Sequence, residues 1–391
     1  MTRTALISGA GITGQAAAFW LRRHGFDVTV VEKARAPRSG GYPIDIRGTA
    51  LEVVRRMGLL PRLRDAHVDL RRMTFLHEDG SEVATLAPHA VTGGTAGADL
   101  EVRRGDLTGI LHAAVRDDVE FRYDESIDTL DQHHGGVDVG FRSGREGSFD
   151  VVIGADGMHS RTRELLFGPE ERFHRYLGYC FAVFPMANEL GLSHETVLWN
   201  APGRSAALYA VADDPEVHAF LNFSVPQPPS QLFRAPGAQR ELVAGVFADA
   251  GWQVPAMLGA LHAADDVFFD AVAQIRMPRW SHGRVTLAGD AAHAPSFLTG
   301  QGTSLALVGA YMLARSLGRA GHDEGFAAYE RDTRGFVTAN QDLVGTGGAT
   351  LFPTTAQALE QRNDRLRRLR TAPAARAVPA HSALTLPGHP A

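Results

Sequence analysis

Three clusters of glycine and acidic residues in this chain have the types and spacing to hold a large anionic ligand. Gly9, Gly11 and Gly14 form G-x-G-x-x-G within GAGITG. In that pattern the first glycine permits a tight turn, the second lets backbone approach a pyrophosphate, and the third lets a helix pack on a strand. Glu32 ends the next apolar run, where a carboxylate accepts hydrogen bonds from an adenosine ribose and repels a 2′-phosphate. Asp156 and Asp290 end two later apolar runs, FDVVIGADG and RVTLAGD, and the second leads on to Gly300-Gln301-Gly302. Singly, such an aspartate is a common helix cap or turn residue. Together with a phosphate cradle the three sites point to a dinucleotide, and both FAD and NAD satisfy them.

The elements needed to position these residues are legible. TALIS reads as a strand, QAAAFWLRRHG (residues 15–25) as a helix closed by Gly25, and DVTVVEK as a second strand. The helix N-terminus would face the phosphates, with Thr13 in the glycine turn and Lys33 beside Glu32 as further cofactor-binding candidates. FDVVIGADGMHSRTRELL repeats the strand–turn–helix logic, and so does VTLAGD with a helix from about Gly302 to Leu317. Between about residues 171 and 279 the runs become strand-like: GYCFAVFPM, ETVLW, SAALYAVA and HAFLNFSV, the last alternating in character as if one face met a ligand. MTFLHEDGSEVATL reads as a hairpin turning at Asp79-Gly80 and able to join that sheet, and TGGTAGA as a loop. TTAQALEQRNDRLRRLR reads as a helix with a solvated arginine face, followed by a Pro/Ala tail whose composition predicts disorder.

Composition excludes several functions. The 391 residues, 44% hydrophobic, can bury the core of two or three domains or of one large domain with an insertion, and a net charge of −5 offers no footprint for nucleic acid. Cys180 is the only cysteine, which rules out internal disulfides, Cys-rich zinc sites and thiolate-held iron–sulfur clusters and fits a reducing cytoplasm. Lys33 is the only lysine, so a Schiff-base mechanism would have to use it. The glycines interrupt the first apolar stretch too often for a signal peptide, and no run approaches a membrane span. His293 lacks a second histidine at ligand spacing, so no metal is expected; no G-x-S-x-G elbow is present either.

The ordered set GAGITG, GADG and AGDAAH…GQG resembles the flavin-dependent aromatic hydroxylases typified by para-hydroxybenzoate hydroxylase, over about residues 3–345, and is most similar to the branch of tetracycline-inactivating monooxygenases. The resemblance implies an α/β architecture: a Rossmann-like FAD-binding domain (residues 1–72, 97–170 and 280–345), an inserted sheet-based substrate domain (73–96 and 171–279), a C-terminal helix (353–371) and a disordered tail (372–391). It implies noncovalent FAD, with Asp290 bonding the ribityl chain, Gly300 and Gly302 against the ring, and the helix from Gly302 aimed at the flavin N1–C2 region. RRGDLTGIL resembles the family's Arg-x-Asp-Leu helix start and places Arg104 near the FAD linker; GGYPIDIRG places Asp45 and Arg47 beside the flavin. By a looser match Arg38 would face NADPH or NADH, with NADPH favoured.

The activity implied is NAD(P)H- and O2-dependent hydroxylation of an aromatic or polycyclic small molecule through a flavin C4a-hydroperoxide, by a monomer or homodimer. No residue stands out as a catalytic base. Baeyer–Villiger insertion, non-oxygenating flavin chemistry on the same fold, and a non-enzymatic flavin sensor are the alternatives, because fold alone does not name a substrate.

Overall fold

The protein is described by a computed structural model covering residues 2–37, 41–94, 97–229, 235–370 and 377–388, the side chains of 346–349 excepted. Its first sheet has six strands in the order Ser281–His282, Val285–Leu287, Val151–Gly154, Arg3–Ser8, Phe26–Glu32, Glu120–Tyr123, all parallel save the first. The register aligns Ser8 with Gly154 and Val31, and Gly154 with Leu287. The carboxyl ends of four strands therefore share one edge; Glu32 ends one of them and Gly9, Asp156 and Asp290 follow the others there, where ligands of open α/β sheets bind.

These strands are apolar almost throughout because both faces are covered. Ala5 and Ile7 face the helices Ile12–Arg23 and Gly302–Arg319, alongside Trp20 and Tyr311. Leu6, Val31, Val152 and Val285 face the other way, onto Val137, Val139 and Phe141 of a three-stranded antiparallel sheet, Ile127–His133, Gly136–Phe141 and Glu146–Phe149. The first helix starts at Ile12, earlier than its composition predicts, since Gly14 lies inside the helix: a side chain there would overlap the Gly9 carbonyl oxygen.

A second, seven-stranded sheet runs Phe268–Ile275, His174–Ala187, Glu216–Ser224, Arg204–Ala210, Glu195–Ala201, Arg72–Leu76, Glu82–Leu86. Alternation divides its faces. Cys180, Ala182, Trp199, Leu208, Leu221 and Phe223 pack against Val243, Met257 and Leu261 of the helices Pro236–Val246 and Val254–Ala263 and against Phe247, which follows the first of them. The opposite face carries Phe181, Val183, Leu198, Ala207, Tyr209 and Phe220. A short antiparallel pair, Pro43–Ile46 with Leu100–Arg103, completes the sheets.

The C-terminal helix spans Ala356–Leu369, its first turn capped by Thr355, whose hydroxyl accepts from the Ala358 N–H. Two expectations about this end are corrected. Arg362 is not solvated: it is buried, donates to Asn200 Oδ1 at 3.0 Å and lies over the Phe75 ring. Nor is all of the Pro/Ala-rich tail disordered. Residues 377–388 pack on the helices around the first sheet, with Leu386 and His381 buried; Thr49 donates to the Leu384 carbonyl, Arg56 to that of Pro387 and Asn340 to that of Ala380. Apolar side chains and a run of satisfied carbonyls anchor a segment whose average composition looks unstructured. Among the described residues no helix is long and apolar enough to cross a membrane.

Candidate functional site

Gly9 takes φ +106°, and a Cβ there would stand 2.5 Å from the Ala155 carbonyl oxygen, so the turn is tied to the neighbouring strand end. A Cβ at Gly11 would meet no protein atom, which leaves room for a ligand to reach the backbone. Gly11 caps the helix Ile12–Arg23 without a side-chain hydrogen bond, and no acidic residue occupies the first turn. Its N–H groups and positive dipole end stay available to an anion. Thr13 is buried and packs against Gly289. Glu32 is held by two backbone donors, Ala10 and Ala34, each at 2.9 Å, one on each carboxylate oxygen. Lys33 is exposed beside it.

Asp156 is differently employed from Glu32. Its carboxylate accepts from Ser160 Oγ and from the N–H and hydroxyl of Thr162, the last two at 2.9 Å, so it organises the turn into the helix Arg161–Phe167. Arg163 of that helix is fully buried and donates to the carbonyls of Ala291 and Met158, binding the Asp290 segment to this turn.

Asp290 is solvent-accessible, yet surrounding protein desolvates its carboxyl and raises its pKa, with Arg104 opposing the rise and Asp270 adding to it. Arg104 opens the helix Arg104–Ala113, its N–H donating to the Tyr42 carbonyl at 3.3 Å. Asp45 and Arg47 form an ion pair at 2.7 Å. The Arg47 guanidinium also donates to the Thr92 carbonyl, and its backbone N–H to Ser304 Oγ at 3.1 Å, which ties this arm to the helix Gly302–Arg319. Arg38 lies outside the described residues.

The loop before that helix turns at Gly300, φ +62°, which has Asp45 and Arg47 against it. Gln301 is fully buried, and both polar atoms of its amide lack a hydrogen-bond partner. Gln301 N-caps the helix with no side-chain bond and no acid in the first turn. A buried amide left without partners costs a few kcal/mol unless a ligand supplies them. Two uncapped helix N-termini, an open Gly11 and this orphaned amide fit a long dinucleotide with a hydrogen-bonding ring at one end.

Beyond the loop lies an aromatic surface. Phe297 packs on Phe181 (ring centroids 4.7 Å) and Phe352 (5.8 Å), Tyr179 on Phe352, and Tyr42 on Phe220. His293 is buried against Tyr329 Oη at 3.3 Å, and desolvation lowers its pKa to about 3, so it is a neutral core residue. Among the described residues no group of three or more His, Cys, Asp or Glu could hold a metal ion.

Residues 2–343 match the family described as FAD binding domain. The chain belongs to that family. It is 41% identical over 358 residues to an uncharacterized protein of Mycobacterium tuberculosis, covering 89% of this chain and 95% of that one. It is 33% identical over 342 residues to a flavin-dependent monooxygenase of Legionella longbeachae, covering 86% of each. The crystal structure of the tetracycline destructase Tet(55) superposes with a TM-score of 0.85 at 33% identity, covering 99% of both chains. The cofactor of this family member is FAD, and the protein is an FAD-dependent monooxygenase.

Sequence reasoning did not single out Tyr42, Glu101, Tyr209 or the Gln301 amide. Glu101 stands three residues before Arg104 without a motif of its own; its importance comes from the strand that pairs with it, which no local pattern announces.

Proposed function

We propose that this enzyme uses NADPH and O2 to hydroxylate a planar aromatic or polycyclic small molecule held between the Gly300–Gly302 loop and the inner face of the seven-stranded sheet. The observation that carries this reading is the continuity of aromatic side chains from Phe297, next to the loop, through Phe181 and Phe352 to Tyr179, with Tyr42 and Phe220 beside them. Such rings favour a flat, electron-rich partner through stacking and burial. The similarity to a tetracycline destructase supports a polycyclic substrate.

Bound FAD supplies electron transfer from the nicotinamide to oxygen and insertion of one oxygen atom. The chain's residues bind, orient and shield. Glu32 would hold the ribose, the N-terminus of Ile12–Arg23 the pyrophosphate, Asp290 and Arg104 the linker, and Gln301 with the N-terminus of Gly302–Arg319 the ring edge. The aromatic wall keeps water from the reacting atoms. The seven-stranded sheet serves as the substrate domain and the six-stranded sheet as the FAD domain. NADPH would bind transiently, with Arg38 as its candidate contact, since the one glycine cradle is assigned to FAD. A cytoplasmic setting fits the lone, buried Cys180.

Candidate aromatic and polycyclic phenols should stimulate NADPH oxidation and yield a product carrying one atom from isotopically labelled O2. Stimulated oxidation with unlabelled product would replace hydroxylation by non-oxygenating chemistry, and a ring-expanded lactone would replace it by Baeyer–Villiger insertion.

A further inference from the structure

The antiparallel pair Pro43–Ile46 and Leu100–Arg103 sets Asp45 directly opposite Glu101. Side chains so paired project from the same face, within reach of one another. One guanidinium serves both: Arg47, already committed to Asp45 Oδ1. Other charges nearby do not relieve the excess. Asp99 adds negative potential at Asp45. Arg103 is paired with Asp214. His67 meets the backbone of Glu101, its Nδ1 lying 3.0 Å from the carbonyl oxygen. His381, which faces Arg47 and Asp99, is kept neutral chiefly by burial, its pKa lowered to about 4.

Burial pushes the carboxyls of both Asp45 and Glu101 up, and the charge of Asp45 raises Glu101 further. An independent feature points at the same place. The Tyr209 hydroxyl is buried and faces Glu101 as a donor to its carboxyl, and desolvation together with the charge of Glu101 keeps it a neutral phenol.

We propose that Asp45 and Glu101 hold a single proton between them beside the cofactor loop, with Tyr209 as the neutral donor that orients Glu101. Two facing carboxylates served by one arginine cannot both ionise cheaply in a low-dielectric site, so the pair retains a proton. Its outward member is Asp45, whose Oδ2 would stand 3.1 Å from a Cβ at Gly300. When the proton passes from Glu101 to Asp45, Glu101 becomes the carboxylate and Asp45 the acid. The pair keeps a charge of −1 throughout, so no new charge is buried. It is a proton store abutting the loop that carries the flavin ring.

The use of this proton in hydroxylation rests on the function proposed above; its presence does not. Infrared spectroscopy of the FAD-loaded enzyme without substrate tests it directly. The wild type should show the carbonyl stretch of a protonated, deuterium-sensitive carboxylic acid at neutral pH, titrating away through about pH 8. Glu101→Gln should abolish the band with FAD retained. Asp45→Asn should also abolish it at neutral pH, because Glu101 then has Arg47 to itself and ionises. Tyr209→Phe should keep the band and move its midpoint upward, since the lost donor favoured the carboxylate. Absence of the band in wild type, or its persistence in both carboxyl variants, overturns the shared proton, and an unmoved midpoint in Tyr209→Phe overturns the tyrosine's part. With a substrate, the ratio of product to NADPH consumed should fall through the same midpoint in wild type and be low and flat in Glu101→Gln. A flat wild-type ratio alongside an intact band would reject the catalytic use alone.

Discussion

Gly9 and Gly11 sit two residues apart and answer to different constraints. A Cβ at Gly9 collides with the Ala155 carbonyl, whereas one at Gly11 meets no protein atom. Gly11→Ala should therefore leave the thermal midpoint close to wild type and weaken FAD at least roughly tenfold, about 1.4 kcal/mol. Gly9→Ala should lose stability as well. Flavin fluorescence titration beside a melting curve separates the two effects. Asp290→Ala should cost roughly 1.5–3 kcal/mol of FAD affinity, the usual worth of hydrogen bonds to a charged group, with the fold intact. Wild-type affinity in that variant would reduce Asp290 to a turn residue. These residues were legible because their reason is local: a glycine or acid at the end of an apolar strand announces itself within a few positions. Asp45 was legible through its motif, but its partner was not. Glu101 lies far along the chain from it, and only the pairing of two four-residue strands makes them neighbours.

At the scale of elements, the two large sheets are latched beside the site by His159. It follows the Asp156 turn, and its ring reaches Glu170 at 2.8 Å and Asp270 of the strand Phe268–Ile275 at 3.3 Å. Hydrogen bonds that its ring donates to Asp270 and Glu170 raise its pKa to about 10. The folded state thus binds the proton more tightly than the unfolded chain, whose histidine titrates near 6.5. The stabilisation is complete below about 6.5 and disappears as pH rises through about 10. His159→Gln should melt below wild type at mildly acidic pH by about 1 kcal/mol, a figure discounted for the ring's exposure, and the two curves should converge in strong alkali. Equal melting at every pH would remove the latch. The strands and helices themselves were largely readable from periodicity, because both faces of the six-stranded sheet are buried and the second sheet alternates. The burial of Arg362 was not, since its charge argued for solvent and only the Phe75 ring and Asn200 explain its place.

For the whole molecule, the C-terminal segment acts as a strap across the helices around the first sheet. Its His381 carbonyl presses on Gly48, next to Arg47, and Pro387 receives hydrogen bonds from both Arg56 and Tyr311. Deleting residues 371–391 should lower stability by about 2–4 kcal/mol, from loss of the buried Leu386 and Leu384 contacts and of these bonds. An unchanged midpoint on calorimetry would show the strap to be decoration. Composition concealed it, because two leucines and a histidine among alanines and prolines do not read as core.

The order of strands in the six-stranded sheet also governs how the chain is born. Arg3–Ser8, which precedes the other strands of this sheet in the sequence, lies between Phe26–Glu32 and Val151–Gly154, and the latter must wait for Val285–Leu287. A nascent chain leaving the ribosome therefore carries an open strand edge until residue 154 is out and another until residue 287. Such distant pairings close slowly, and unpaired edges invite aggregation. The nucleotide cradle, made before either of those strands, must idle unfinished until both are out. Chaperones that shield that edge should raise how much protein a host cell recovers.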